Sequence, residues 1–509
     1  MFHFGNTMSC VSPVALACNF VFAVSAACGA LHWNLPRYAT LDGSILTVDV
    51  PENDARAGCR AWAEIDLSAY DGIPFEATIE AWGERIGKPR DHWNGLKFQF
   101  EYRNPDTGET LYPNTKSLQG DFARRMLSVR DTQCSHKAFP AHIVLGLQDT
   151  SGKVSFDLST LRIRPGRICW PVTNQNHRCE YTTKYGTAED LRRTLRGVMA
   201  PSRDMTEDDL RTLSEWGVTL IRYQMACERN FGSSKQGLDD FDSWVGGRLD
   251  HLDAFVLPMA EKYGIQVAID LHRPPGGREA SGDMAMFHNQ ECADRFIAFW
   301  RRVANRFRGR RAIYGYDLVN EPVQTVESLP DCDFWSLQKR AAEAIRQIDM
   351  ETPIIIESNL QDSPAAFATL SPLKLTNVIY EVHMYNPAAF THQNLRGEAR
   401  QGGCIYPDAA KKWNKEYLKR ILSPVRDFQR RHGAQIYVGE FSAVAWAHGA
   451  ERYLHDCIDI FCEYGWDWTY HAFREWPGWS VEHEGADSRH LGPSADNLRK
   501  RTLLKGFRR

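Results

Sequence analysis

Tyr316-Asp-Leu-Val-Asn-Glu-Pro322 and, further on, Tyr437-Val-Gly-Glu-Phe441 are two short β-like runs that each carry a glutamate at the end. Neither says much alone, because a glutamate after an apolar strand is most often a solvated loop residue. Their surroundings decide. From Leu195 onward the chain alternates apolar, β-branched runs with long amphipathic stretches, the pattern of repeated βα units and a parallel sheet. The predicted strands are Leu195 to Met199, Val218 to Tyr223, Ile265 to Leu271, Ile313 to Asn320, Pro353 to Glu357, Asn377 to Met384, Gln435 to Gly439 and Trp466 to Ala472. Helical patterns lie between them at Leu249 to Tyr263, Ala293 to Phe307, Phe334 to Ile348, Trp413 to Arg431 and Glu451 to Tyr464. Eight βα units within roughly 310 residues predict an α/β fold, a (β/α)8 TIM barrel, whose working residues sit at the C-terminal ends of its strands. Glu321 and Glu440 fall at the ends of the fourth and seventh.

The other strand ends carry polar groups that would be out of place in a simple core. The second finishes at Arg222 and the third at His272. A two-residue period aligns Ala268, Asp270 and His272 on one face of the third strand, with Val267, Ile269 and Leu271 facing the helices. On the sixth strand the same period aligns Glu381, His383 and Tyr385. A lone interior histidine is usually just a hydrogen-bonded core residue, but so many polar groups converging on one barrel mouth point to a site. Hydrolysis of a glycosidic bond needs one carboxylic acid to protonate the leaving oxygen and a second carboxylate at the anomeric carbon, and two glutamates at strand ends meet that need.

Over roughly Leu195 to Trp479 the chain resembles glycoside hydrolase family 5, the cellulase family. The resemblance rests on Arg222, His272, Asn320-Glu321-Pro322, His383 and Tyr385 in a His-x-Tyr spacing, and Gly439-Glu440. It implies that Glu321 is the acid/base and Glu440 the nucleophile. The residue chemistry agrees: Arg222 beside Glu440 would keep the nucleophile ionised, and Tyr385 can donate to the same carboxylate. The acid begins protonated, favoured by the neighbouring negative charge, and loses its proton more easily once Glu440 is glycosylated. Asn320 is placed for the sugar 2-hydroxyl, and His272 and His383 complete the set against the sugar or the acid/base glutamate. A retaining double displacement is expected, with the carboxyl groups roughly 5 to 5.5 Å apart. The family usually has a tryptophan at the end of the eighth strand as a floor for the sugar. In Trp468-Thr-Tyr-His-Ala-Phe-Arg-Glu-Trp-Pro-Gly-Trp479 the expected floor is Trp476, with Trp468, Phe473 and Trp479 as alternatives, and His471, Arg474 and Glu475 read a substituent or pin the loop.

The first third of the chain differs in kind. From about Leu31 to Pro165 it shows short strand-like runs, at Ser44 to Val50, Trp62 to Leu67, Phe75 to Trp82, Leu96 to Tyr102, Ile143 to Gln148 and Val154 to Leu158, separated by turns such as Asn104-Pro-Asp-Thr-Gly108. This predicts an antiparallel β-sandwich of jelly-roll type, residues 31–165, joined by a linker, 166–183, to the barrel domain, 184–509. The sandwich either binds carbohydrate or braces the barrel. Trp33, Trp82 and Trp93 are its candidate sugar-stacking rings, against the alternative that they are core.

Residues 1–30 read as a secretory signal with cleavage after Ala27 or Ala30, although only His3 stands for the usual positive region. The chain is therefore expected to be secreted or periplasmic, with a lipid-anchored form through Cys28 left open and no stable membrane span. Setting aside Cys10, Cys18 and Cys28 leaves ten of thirteen cysteines, which permits disulfides without establishing any. Their scatter, without Cys-x-x-Cys, gives no zinc motif, and no phosphate-cradling loop or Gly-x-Ser-x-Gly appears, so no metal or cofactor is expected. A net charge of −3 makes no case for nucleic acid. The expected partner is a polysaccharide or oligosaccharide, in first place a β-1,4-glucan or a relative. A glycolipid or exo-acting β-glycosidase, a non-catalytic glycan-binding protein on the same barrel, and a structural assembly protein are the alternatives. Retention of both glutamates argues against the second, and the polar mouth against the third. The long loops Pro274 to Phe287, Pro387 to Tyr406 and Trp476 to Ser488, and Arg278, Arg396 and Arg489 within or beside them, do not name the glycan.

Overall fold

The computed structural model describes residues 31–509 except 73, 92, 106–109, 132–135, 167–176, 183–193, 228, 280–281 and 396–402. The leader with Cys10, Cys18 and Cys28, most of the linker, part of the Asn104–Gly108 turn and Arg396 lie outside the described residues. The chain divides into two compact units, the first ending at Arg167 and the second running from Ile168 to Arg509.

The first unit is an antiparallel sandwich of β1 (Trp33–Asn34), β2 (Ala39–Asp42), β3 (Ile45–Val50), β4 (Cys59–Ile65), β5 (Phe75–Ile86), β6 (Gly95–Arg103), β7 (Thr110–Leu111), β8 (Gly120–Asp131), β9 (Ala138–Gln148) and β10 (Gly152–Pro165). Its two sheets run β1-β4-β9-β6-β7 and β2-β3-β10-β5-β8. From β3 onward, connections that pass from sheet to sheet, apart from β6 to β7, which pair within one sheet, give the jelly-roll order. All six expected strands are present. The one long strand missing from the sequence reading is β8. It pairs only with β5 at the sheet's edge, so Arg124, Arg125 and Arg130 stay in solvent and burial alternates only over its second half, Leu127 to Asp131. Of the three tryptophans, Trp33 packs against the sandwich core, Trp82 lies under the Arg124 guanidinium, and Trp93 is 51 % exposed.

The second unit holds a closed parallel barrel: β11 (Arg196–Met199), β12 (Leu220–Gln224), β13 (Gln266–Asp270), β14 (Ile313–Asp317), β15 (Ile354–Glu357), β16 (Val378–Met384), β17 (Gln435–Phe441) and β18 (Asp467–Tyr470), with β18 paired back to β11. Each expected strand is found within a few residues. Two helical stretches differ from expectation. The helix before Tyr263 begins at Lys235, capped by Ser234, and passes through one wider turn at Leu252–Val256. The Trp413 to Arg431 stretch is two helices, Lys415–Ile421 and Ser423–His432, because Pro424 has no N–H to continue the first and suits the opening turn of the second. Among the described residues no helix is long and apolar enough to cross a membrane, and eight cysteines are free thiols.

Inside the barrel, six strands repeat one motif. Leu220, Ala268, Tyr314, Ile355, Ile379 and Tyr437 form an apolar floor. One inward step further along each strand stands a charged residue: Arg222, Asp270, Asp317, Glu357, Glu381 and Glu440. On four strands that step is two residues, the ordinary pleat. On β14 and β17 it is three, because each carries a register shift, Tyr314 being passed over opposite Val267 and Ala268, and Gly439 opposite Val382 and His383. A bulge of this kind re-aims the side chains beyond it. Gly439 is required at its position: a Cβ there would lie 1.5 Å from Glu381 Oε1. Gly439→Ala should therefore lower stability by about 1–3 kcal/mol, an overpacking cost, and also reduce activity by displacing Glu440. Denaturant unfolding and initial rates would check both.

Candidate active site

Arg222 is fully buried at the centre of the charged layer. Its Nε reaches Asp317 at 2.8 Å and Glu381 at 3.2 Å, Nη2 reaches Glu357 at 2.8 Å, and Nη1 reaches Glu440 Oε1 at 2.7 Å and Asp270 at 3.4 Å. Both Nη atoms also donate to Asn320 Oδ1 at 3.1 Å. Burial, reinforced by the crowding of like charges, raises Asp317 and Glu357 well above the usual carboxylate range.

Above this layer lies a cavity of about 540 Å³ whose lining includes His272, Asn320, Glu321, His383, Tyr385 and Glu440. All but two of the expected site residues are therefore on its wall. Arg222 stands beneath it, and Trp476 is outside it, packed edge-on against Trp446 and Trp479. The place just after β18 is held by His471, which lines the cavity together with His392 and Glu475.

Glu321 follows β14 with a left-handed backbone, φ 50°, held by its own N–H donating to Glu357 Oε2 at 2.6 Å. Non-glycine residues hold such a conformation only where the surroundings impose it. Arg278 donates to the Glu321 carbonyl at 2.7 Å, so this loop arginine supports the glutamate's backbone. The Glu321 carboxylate meets His383 Nδ1 at 3.2 Å, and the same nitrogen lies 3.8 Å from Glu440 Oε2. His383 Nε2 meets Glu381 at 3.3 Å. Burial would lower the His383 imidazole's affinity for protons, but the charges of Glu440 and Glu357 and the bonds to Glu321 and Glu381 outweigh it, and it is raised well above its usual value.

Tyr385 donates to Glu440 Oε2 at 2.7 Å, completing with Arg222 a bond to each oxygen. Burial pushes the Glu440 carboxyl up, while the positive charges of His383, His471 and Arg222 pull it further down, leaving it below the usual range. His272 is oriented by Asp270, Nδ1 to Oδ2 at 2.9 Å, and its Nε2 lies 3.4 Å from Asn320 Nδ2. Glu357, Asp317 and His392 were not singled out as site residues from the sequence, whereas His471 and Glu475 were, either to read a substituent or to pin the loop. Glu357 carried the same signal as the rest, a carboxylate closing an apolar strand; His392 sits on a loop, where periodicity gives none. Glu357, Asp362, Glu381 and His383 offer ligand atoms within 4.8 Å of one another, as do Glu321, His383 and Glu440. In both sets Arg222 or His383 already supplies positive charge.

A family model described as cellulase (glycosyl hydrolase family 5) matches residues 184–476. Endoglucanase C of Acetivibrio thermocellus is 26 % identical over 303 residues, covering 52 % of this chain and 84 % of that one. Cellodextrinase A of Ruminococcus flavefaciens is 25 % identical over 252 residues, covering 47 % and 68 %. Among solved structures, Thermotoga maritima Cel5A in complex with mannotriose aligns at 21 % identity over 63 % of this chain and 99 % of that chain, with a TM-score of 0.47.

The charged layer makes a direct prediction. Arg222→Met would strip the shared cation from buried carboxylates, and losing one partner of such a pair costs about 3–5 kcal/mol. Denaturant midpoints should fall accordingly; an unchanged midpoint would show that the guanidinium does not hold the layer together.

Proposed function

The chain belongs to glycosyl hydrolase family 5, the cellulase family, and from that premise we propose that it hydrolyses β-1,4-glucan or a related β-linked polysaccharide with retention at the anomeric carbon. Glu440 is the nucleophile and Glu321 the acid and then the base. The observation that carries this reading is that Glu321 and Glu440 share one imidazole nitrogen and bring carboxylate oxygens within 4.8 Å of each other. Oxygens that near each other suit direct attack, for which the carboxyl groups stand about 5–5.5 Å apart, rather than the wider, water-filled gap of an inverting pair. The names of the relatives, an endoglucanase and a cellodextrinase, support the choice of glucan.

In the first step Glu440 attacks the anomeric carbon with one oxygen while the bond to the leaving oxygen breaks, and Glu321 gives that oxygen its proton. The Arg222 and Tyr385 bonds orient the attacking carboxylate, which is ionised before substrate arrives. In the second step Glu321 takes a proton from water, the hydroxyl adds to the anomeric carbon from the face the leaving group vacated, and Glu440 departs as carboxylate. Asn320 is fixed by Arg222 beside the reacting centre, where a hydrogen bond to the sugar 2-hydroxyl strengthens as positive charge develops. An export leader at residues 1–30 fits a polymeric substrate that stays outside the cell; N-terminal sequencing of secreted protein should find the mature chain starting after Ala27 or Ala30.

The decisive experiment is a panel of β-glucans, mannans, xylans, glycolipids and aryl β-glycosides tested with the parent and with Glu440→Ala plus azide. The parent should cleave β-glucan, and the variant should be silent until azide yields an α-glycosyl azide. A silent parent that still binds one glycan would establish the non-catalytic alternative instead. Glu321→Ala should lose about 10²–10⁴ of rate, the usual worth of general acid–base catalysis. Because the Glu440 carboxyl lies below its ordinary value, the nucleophile stays ionised as pH falls, and the acid limb of kcat/KM should lie below the ordinary glutamate value of about 4.3.

A further inference from the structure

His471, directly after β18, is hydrogen-bonded at Nδ1 and faces a carboxylate at Nε2. Tyr385 has one hydroxyl proton and gives it to Glu440 Oε2, so toward His471 Nδ1, also 2.7 Å away, that hydroxyl can only accept. Nδ1 therefore carries a hydrogen. Nε2 faces Glu475 Oε2 at 3.3 Å, and an ionised carboxylate accepts only, so Nε2 carries one as well. A ring with hydrogens on both nitrogens is an imidazolium. Its Nδ1 lies 3.9 Å from Glu440 Oε2, the oxygen that Arg222 does not bind. Glu475 is fixed in turn: the same Oε2 accepts from Gln224 Nε2 at 2.9 Å, and that amide also donates to the Ala200 carbonyl at 2.6 Å.

We propose that Glu475 and His471 form a charge relay to the nucleophile: Glu475 keeps His471 protonated, and the imidazolium, acting through Tyr385 and across the gap to Oε2, holds Glu440 ionised and aligned. This rests on Glu440 being the nucleophile. Both relay members are positioning residues, and they occupy the place where the sequence suggested an aromatic sugar floor. The groups facing His471 agree. Glu440 from β17 and Glu475 from its own loop favour its charge; His383 from β16 opposes it; Tyr385 and the Trp479 ring, 5.5 Å away, are neutral. His392, from the loop after Tyr385, is neutral too, because burial and the charge on His471 push it down to about 4. Burial of the His471 ring opposes its charge most, but the two carboxylates outweigh it and the net effect is a raised value; burial of the Glu475 carboxylate is likewise outweighed by His471 and Gln224, which keep it ionised. The relay serves both chemical steps: a charge-stabilised carboxylate is ready to attack, and it is also the better leaving group when water displaces it.

Glu475→Gln is the test, with His471→Gln and the double variant beside it, on a soluble aryl β-glycoside across pH. Loss of an opposite charge at this distance should raise the acid limb of kcat/KM by about one unit or more, and cut kcat about tenfold, one unit being a factor of ten. KM should change little, and the double variant should be no worse than either single one. A rise in KM with kcat and the acid limb unmoved would overturn the proposal and make Glu475 a plain sugar contact. Additive losses in the double variant would overturn it as well. The ring's nitrogen shifts by NMR test the relay without turnover: both nitrogens of His471 should be protonated at pH 7 in the parent, and a neutral ring would sink the idea. If no β-glycoside is cleaved while the ring is cationic, the hydrolase reading fails and the Glu475–His471 pairing stands.

Discussion

One guanidinium organises the barrel. Arg222 has five N–H donors in a rigid fork, and around it stand Asp270, Asp317, Glu357, Glu381 and Glu440 from five other strands. No single cation neutralises so many carboxylates in a dry interior. Oxygens of Asp270, Asp317 and Glu381 remain without a hydrogen-bond donor, and burial drives Asp317 and Glu357 toward their protonated forms. Such a layer is a poor source of net stability, since desolvation cancels most of the attraction. What it gives is a fixed geometry: strand ends that meet one fork cannot slide independently.

The site is built upward from that layer. Glu357 holds the backbone of Glu321, Glu381 holds His383, Asp270 holds His272, and Arg222 itself holds Asn320 and Glu440. Each of these five cavity-lining groups is thus tied to a carboxylate or guanidinium of the charged layer, which is how a constellation of side chains stays rigid. Electrostatics follows from the same arrangement. Glu440 sees positive charge on both oxygens, from Arg222 on one side and from His383 and His471 on the other, and is ionised despite being 4 % exposed.

Much of this was legible in the sequence, for a stated reason. A parallel barrel strand is buried on both faces, so any charged residue at its end stands out against a run of aliphatics. Arg222, His272, Glu321, His383 and Glu440 were visible that way, and Asp270 and Glu381 followed from the two-residue period. Strand β8 of the sandwich was not visible, because an edge strand keeps its arginines in water and its first half, Gly120 to Met126, has no buried face to alternate with.

The chain's own residues determined the two-domain plan, the eight βα units and the identities at the strand ends, since these depend on local periodicity and burial. They did not determine which way Glu440 points. A strict alternation from Tyr437 would have turned Gly439 inward and Glu440 toward the helices; the bulge at Gly439 reverses this, and a matching shift at Tyr314 brings Asp317 in. Bulges arise from register between strands far apart in sequence. Tertiary structure likewise placed His471, and not Trp476, at the mouth, because the path of a loop after its strand is set by what it packs against and leaves no period to read.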